Sequence, residues 1–91
     1  MATYRIEFRP AAFRDLEKLD KGLQRRIVAR IEALAVDPFP SGIKKLQGAD
    51  NLYRLRVGDY RVLYEVDAGV LLVLVVRVGP RKEIYRRLPP G

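Results

Sequence analysis

The stretch YRLRVGDYRVLYEV, residues 53–66, constrains the fold of this chain more than any other segment. Apolar and basic residues alternate on both sides of Gly58-Asp59, the pattern of two half-buried strands joined by a tight turn. A two-residue loop sets Val57 opposite Tyr60 and Arg56 opposite Arg61. Tyr53, Leu55 and Val57 then share a core face with Val62 and Tyr64. Arg54, Arg56, Arg61, Leu63 and Glu65 project from the other face. Like charges directly opposed weaken a sheet by about 0.2–1 kcal/mol, so the Arg56/Arg61 pair calls for a reason beyond packing. Either the arginines are solvated, with Glu65 and Asp59 in partial compensation, or they meet an external anion.

The remaining elements fall into place around this hairpin. Residues Thr3 to Arg9 alternate with Tyr4, Ile6 and Phe8 on one face, which reads as a strand. Pro10 stops that strand and suits the first turn of a helix, and Phe13, Leu16 and Leu19 give a short helix over about 10–19. Asp20 is placed to cap a second helix, whose buried stripe is Leu23, Ile27, Ile31 and Leu34 with Val28 and Ala35. Pro38 biases Asp37 away from helical geometry, so this helix ends near Val36. Residues 37–42 form a loop, and Lys44 to Gly48 lead into strands at about 52–57, 60–67 and 70–78. The last two are joined at Asp67-Ala68-Gly69. The run Val70 to Val76 is apolar on both faces and belongs inside the sheet. The two possible turn lengths at 67–69 put Arg77 on opposite faces. Gly79-Pro80 ends the strand, and residues 81–88 form a strand or a helical turn. The order is β-α-α-β-β-β in one domain, residues 1–91. That order predicts an α+β fold, with an N-terminal helical hairpin on one face of a mainly antiparallel four-stranded sheet.

Composition narrows the chemistry. The chain has no cysteine and no histidine, which removes disulfides, thiolate nucleophiles and the usual ligands for zinc or copper. Its acids are too scattered for a calcium loop, so no metal and no cofactor are expected. No apolar run is long enough to span a membrane, and no signal segment opens the chain, which predicts a cytoplasmic protein. The net charge is +7, with the larger excess in the shorter part, residues 51–91. Such an excess points to a polyanion or an acidic protein partner. Arg81, Lys82 and Tyr85 follow the inner strand and can fold back to the arginine face. There, guanidinium groups and an aromatic ring would suit phosphate and base. Lys18, Lys21, Arg25, Arg26 and Arg30 form either a solvated helix face or a docking surface for ribosomal RNA.

Three segments carry a family resemblance: FRDLEKLDKGLQRRIVARIEAL, KKLQGADNLYRLRVGDYRVLYEV and VRVGPRKEIY. Together they cover nearly the whole chain. They resemble the RelE-type toxins of the RelE/ParE superfamily, bacterial and archaeal partners in type II toxin–antitoxin systems. The resemblance implies a ribosome-dependent endoribonuclease that cuts messenger RNA in the A site, and a cognate antitoxin protein as partner. Carried over residue by residue, Arg54 and Arg56 match the basic pair on the first hairpin strand, and Arg61 matches the arginine of the YRLVY-like segment. Arg81 matches the arginine after the glycine of the SVGKR-like segment, and Tyr85 matches the C-terminal tyrosine. Arg56, Arg61, Arg81 and Tyr85 are thereby the implied catalytic group. Arg54 is implied to bind RNA; beside the matched positions, Lys44, Lys45 and Lys82 are expected to bind RNA, and Lys21, Arg25, Arg26 and Arg30 to dock on the ribosome.

One departure matters: the family often has lysine where this chain has Arg54 and Arg56. An arginine stays charged in nearly every setting, so Arg56 is suited to stabilise a 2′-alkoxide rather than to take its proton. Glu83, Tyr85 and ribosomal groups remain as acceptors. ParE-type members share the strand pattern and inhibit DNA gyrase without cutting nucleic acid, which is one alternative. A basic module that binds RNA without cleaving it is another.

Overall fold

The computed structural model describes residues 3–48 and 50–80. The elements in chain order are β1 (Arg5–Phe8), α1 (Pro10–Glu17), α2 (Lys21–Ala33), β2 (Lys44–Lys45), β3 (Leu52–Val57), β4 (Tyr60–Asp67) and β5 (Leu72–Pro80). They form an α+β fold with a single sheet ordered β1-β5-β4-β3-β2. Three pairings are antiparallel and one, β1 with β5, is parallel.

Both helices start as the sequence dictates. Pro10 stands at the first turn of α1, where its missing N–H costs nothing. The Asp20 carboxylate caps α2 by accepting from the Leu23 N–H at 2.9 Å. The helices cover one sheet face. Ala12 and Leu16 of α1, with Ile27, Ile31 and Leu34 from the second helix and its cap, pack on Leu55, Val57, Val62, Tyr64, Val66, Val73, Val75 and Val78. Phe13, expected in this stripe, is 56% exposed instead. The inward positions of α1 are Ala12, Asp15 and Leu16.

The sheet has five strands rather than four. The fifth is β2, too short for its alternation to be read, and it exists because β3 offers an edge for it to pair with. The last strand starts at Leu72, not 70. The Asp67 side chain accepts from the Gly69 and Val70 N–H groups at 3.0 and 3.4 Å, and Leu71 takes a left-handed φ of 54°. The turn therefore spans 68–71. The inner-strand expectation holds, since β5 lies between β1 and β4.

Midway along β5 the register slips. Leu63 pairs with Arg77 while Tyr64 pairs with Val75, so Val76 is an extra residue and the strand carries a β-bulge. The bulge restores Val78, opposite Val62, to the helix-covered face.

Candidate functional site

The β3–β4 hairpin has the register its sequence requires. Val57 faces Tyr60, Leu55 faces Val62, and Arg56 faces Arg61. On the outer side of β3, β2 sets Lys44 opposite Arg54 and Lys45 opposite Tyr53. Residues directly opposed across strands share a sheet face. Lys44, Arg54, Arg56 and Arg61 therefore stand together on the face away from the helices. Lys45 does not join them. Period-two alternation turns it to the other face, opposite the partly buried Tyr53.

Within this cluster, Lys44 and Arg56 are exposed and Arg54 is half-buried. Arg61 is only 4% exposed, so a ligand reaches Lys44, Arg54 and Arg56 first and Arg61 only once its side chain is uncovered. The Arg56 Nε donates to the Gly58 carbonyl at 3.3 Å, and an Arg61 Nη donates to the Tyr60 carbonyl at 3.5 Å. Gly79 lies opposite Arg61 on β5. Leu63, opposite Arg54, is fully buried but outside the helix-side cluster. Glu65 forms an ion pair with Arg9 at 3.7 Å, which draws its carboxylate toward the β1 side.

The helical cations are less concentrated. Lys21, Arg25, Arg26 and Arg30 are all exposed on α2, and the Arg25 Nε donates to the Lys21 carbonyl at 3.3 Å. Arg26 reaches the hairpin tip, with an Nη 3.8 Å from where a Cβ would stand on Gly58. The basic face of α2 and the arginine face of the sheet thus meet at the Gly58-Asp59 turn. Gly58 has a φ of +60°, a conformation that costs a residue with a Cβ more than it costs glycine. Arg81, Lys82 and Tyr85 lie outside the described residues.

The sequence reading missed Asp15. This carboxylate is 7% exposed and accepts from the Arg77 Nε at 2.9 Å, an Arg77 Nη at 3.0 Å and the Val78 N–H at 3.0 Å. The hydrogen bond from Arg77 raises that guanidinium above its usual pKa against the opposing effect of burial. The Arg77 guanidinium thus reaches α1 along the part of β5 that β1 leaves unpaired, while its cross-strand partner is Leu63. A charged residue within the Ala12–Leu16 stripe is the signal that could have found the pair.

Among the described residues no cluster of His, Cys, Asp or Glu could hold a metal ion. No helix there is long and apolar enough to cross a membrane.

Comparison with known proteins extends these observations. The family described as the ParE toxin of the type II toxin–antitoxin system parDE matches residues 6–85. Toxin RelE3 of Methanocaldococcus jannaschii is 32% identical, with 93% of this chain and 99% of that protein covered. Toxin RelG of Mycobacterium tuberculosis is 32% identical, covering 92% and 98%. The crystal structure of the archaeal RelE–RelB complex from Pyrococcus horikoshii matches with a TM-score of 0.78 at 31% identity, covering 89% of this chain and 98% of that one.

Proposed function

This chain belongs to the RelE/ParE superfamily of toxins from type II toxin–antitoxin systems, and on that premise we propose that it is a ribosome-dependent endoribonuclease that cuts messenger RNA in the A site. The observation that carries this reading is the arrangement of like charge. Lys44 opposes Arg54 and Arg56 opposes Arg61, side by side on one sheet face. Each such pair is unfavourable in the free protein and becomes favourable once a phosphodiester lies between its members.

The chemistry is metal-free transesterification. The ribose 2′-oxygen gives its proton to Glu83, Tyr85 or a ribosomal group and attacks the adjacent phosphorus, the bond to the 5′-oxygen breaks, and that oxygen takes up a proton from solvent. The products are a 2′,3′-cyclic phosphate and a 5′-hydroxyl. Arg61 holds the phosphate through the phosphorane, Arg56 stabilises the 2′-oxygen, and Arg54 and Lys44 track the backbone. Arg81 serves the leaving oxygen and Tyr85 stacks on a base, at positions matched through the family resemblance, and Lys82 beside them adds a backbone contact. Fixed cations aimed at developing charge are the kind of catalysis an enzyme without histidine can perform. Dependence on the ribosome to position the RNA fits the weak acid–base equipment. Arg26, at the hairpin tip, with Lys21, Arg25 and Arg30 behind it, docks on ribosomal RNA. The cognate partner is an antitoxin with acidic groups for the arginine face, by analogy with the RelE–RelB complex from Pyrococcus horikoshii. Action on ribosomes places the protein in the cytoplasm.

Primer extension on a messenger translated by purified ribosomes tests the reading: cuts within A-site codons are expected. Intact message with unimpaired translation would refute it. The matched family is described by its ParE member, which favours gyrase inhibition as the second reading. Loss of supercoiling by purified gyrase, with no cleaved RNA, would establish that alternative. A non-catalytic RNA binder would give affinity without cyclic-phosphate ends.

The arrangement of the face also predicts a salt dependence. Binding of single-stranded RNA should weaken with salt, with a log–log slope of about 0.7 per phosphate contacted. Lys44→Gln and Arg54→Gln are each expected to reduce that slope by about 0.7. Lys45→Gln, on the other face, leaves it unchanged. Fluorescence anisotropy of a labelled oligoribonucleotide across a salt series reads this directly. Equal effects of Lys44→Gln and Lys45→Gln would contradict the assignment of faces.

A further inference from the structure

The strand β1 ends at Phe8, opposite Val75 of β5. Beyond that point β5 runs on to Pro80 without β1 beside it. The bulge falls in this extension, at Val76 and Arg77. Here α1 takes over the role of the missing strand. The Asp15 carboxylate receives the Val78 N–H and both arms of the Arg77 fork, at 2.9–3.0 Å. The next residue, Gly79, is the cross-strand partner of Arg61, and Pro80 is that of Tyr60. A bidentate guanidinium–carboxylate pair fixes orientation as well as distance. A buried pair of this kind adds little stability over an apolar pair of similar volume, so stability alone does not account for it.

We infer that Asp15 and Arg77 are positioning residues for the proposed cleavage site, a clamp from α1 that sets where the end of β5 lies beside Arg61. The inference rests on the nuclease reading above. Neither residue touches RNA. Their effect passes through the Val78 N–H and the Gly79 backbone to Arg61, the cross-strand partner of Gly79.

The decisive variant is the double replacement Asp15→Leu with Arg77→Met, in which apolar side chains fill the buried volume and no side chain accepts from Val78. Three readings are taken on the full-length protein: the thermal melt, kcat and KM for ribosome-dependent cleavage, and NMR signals of the Gly79 amide and the Arg61 side chain. The double variant is expected to melt close to wild type and keep its KM. Its kcat is expected to fall about 10- to 100-fold, as small misplacements of reacting groups do, with the Gly79 and Arg61 signals shifted. A folded double variant with wild-type kcat and unmoved signals would overturn the inference. If the double variant does not fold, Asp15→Asn, nearly identical in volume, is judged on the same readings. If wild-type protein cleaves no RNA, the nuclease reading fails by itself, and the Gly79 and Arg61 signals still decide whether the clamp sets this geometry.

Discussion

Arg61→Ala is expected to lower kcat for A-site cleavage by about 10²–10³, the usual loss when one preorganised donor is taken from a developing oxyanion. Among the basic residues of the described face, Arg61 is the most deeply buried. It is 4% exposed, lies between Arg56 on β3 and Gly79 on β5, and sits on an inner strand. Once uncovered, a guanidinium carried by an inner strand is aimed by the rigid part of the sheet as charge builds on the phosphorane. Arg54 and Arg56 are on the neighbouring strand, nearer the sheet edge, and are more exposed, so their loss should fall more on affinity than on rate. Arg61→Lys keeps the charge but loses the planar fork, and an intermediate rate is expected. Primer extension under single-turnover conditions separates the two effects. Circular dichroism of each variant establishes that the fold is intact. Wild-type cleavage by folded Arg61→Ala would remove this residue from the mechanism.

The second large effect is on stability. Tyr64 is fully buried, its ring is stacked on Tyr53 at 5.9 Å, and its hydroxyl donates to the Pro38 carbonyl at 2.8 Å. This one side chain ties β4, the strand that carries Arg61, to the loop after α2. Truncation of a large buried aromatic costs about 3–5 kcal/mol, and a domain of this size has about 5–15 kcal/mol in all. Tyr64→Ala is therefore expected to lose about a third or more of the domain's stability if that stability lies in the lower half of this range, and to melt far below wild type. Tyr64→Phe keeps the packing and strands the buried Pro38 carbonyl, for a loss of about 1–3 kcal/mol. At about 4–8 °C per kcal/mol for a domain this small, calorimetry resolves both.

The same hydroxyl gives a pH signature. Burial, with smaller contributions from Tyr53 and Asp37, pushes the Tyr64 phenol well above its ordinary value of 10.0. Below that value the phenol is protonated in both folded and unfolded chains, and stability does not depend on it. As pH rises past 10.0 the unfolded chain ionises while the folded one keeps its proton. Stability then falls by up to about 1.4 kcal/mol per pH unit until the folded phenol titrates. Denaturation in urea between pH 9 and 12 should show this slope in wild type and a shallower one in Tyr64→Phe. Equal slopes would mean that other groups govern alkaline unfolding.

What the sequence determined by itself is the part governed by neighbours along the chain. The Gly58-Asp59 turn and the alternation around it specify the hairpin register, because slipping by one residue would send Leu55, Val57, Val62 and Tyr64 into water. Pro10, Asp20 and Pro38 mark helix ends through their own backbone chemistry. The basic face of β3 and β4 follows from the same alternation, so Arg54, Arg56 and Arg61 were legible as a group. The tertiary structure decided what depends on contacts between distant segments. Lys44 and Lys45 part company only because two residues find the edge of β3. The parallel position of β1 beside β5 has no local signal. The bulge pairs Arg77 with Leu63, where unbroken alternation from Val73 and Val75 would have set it on the helix-covered face. Asp15, 62 residues earlier, supplies the acceptor for its guanidinium. Alternation carries information only while each residue takes one step along the ladder, and where Val76 adds a step, the identity of the facing residue passes to the fold.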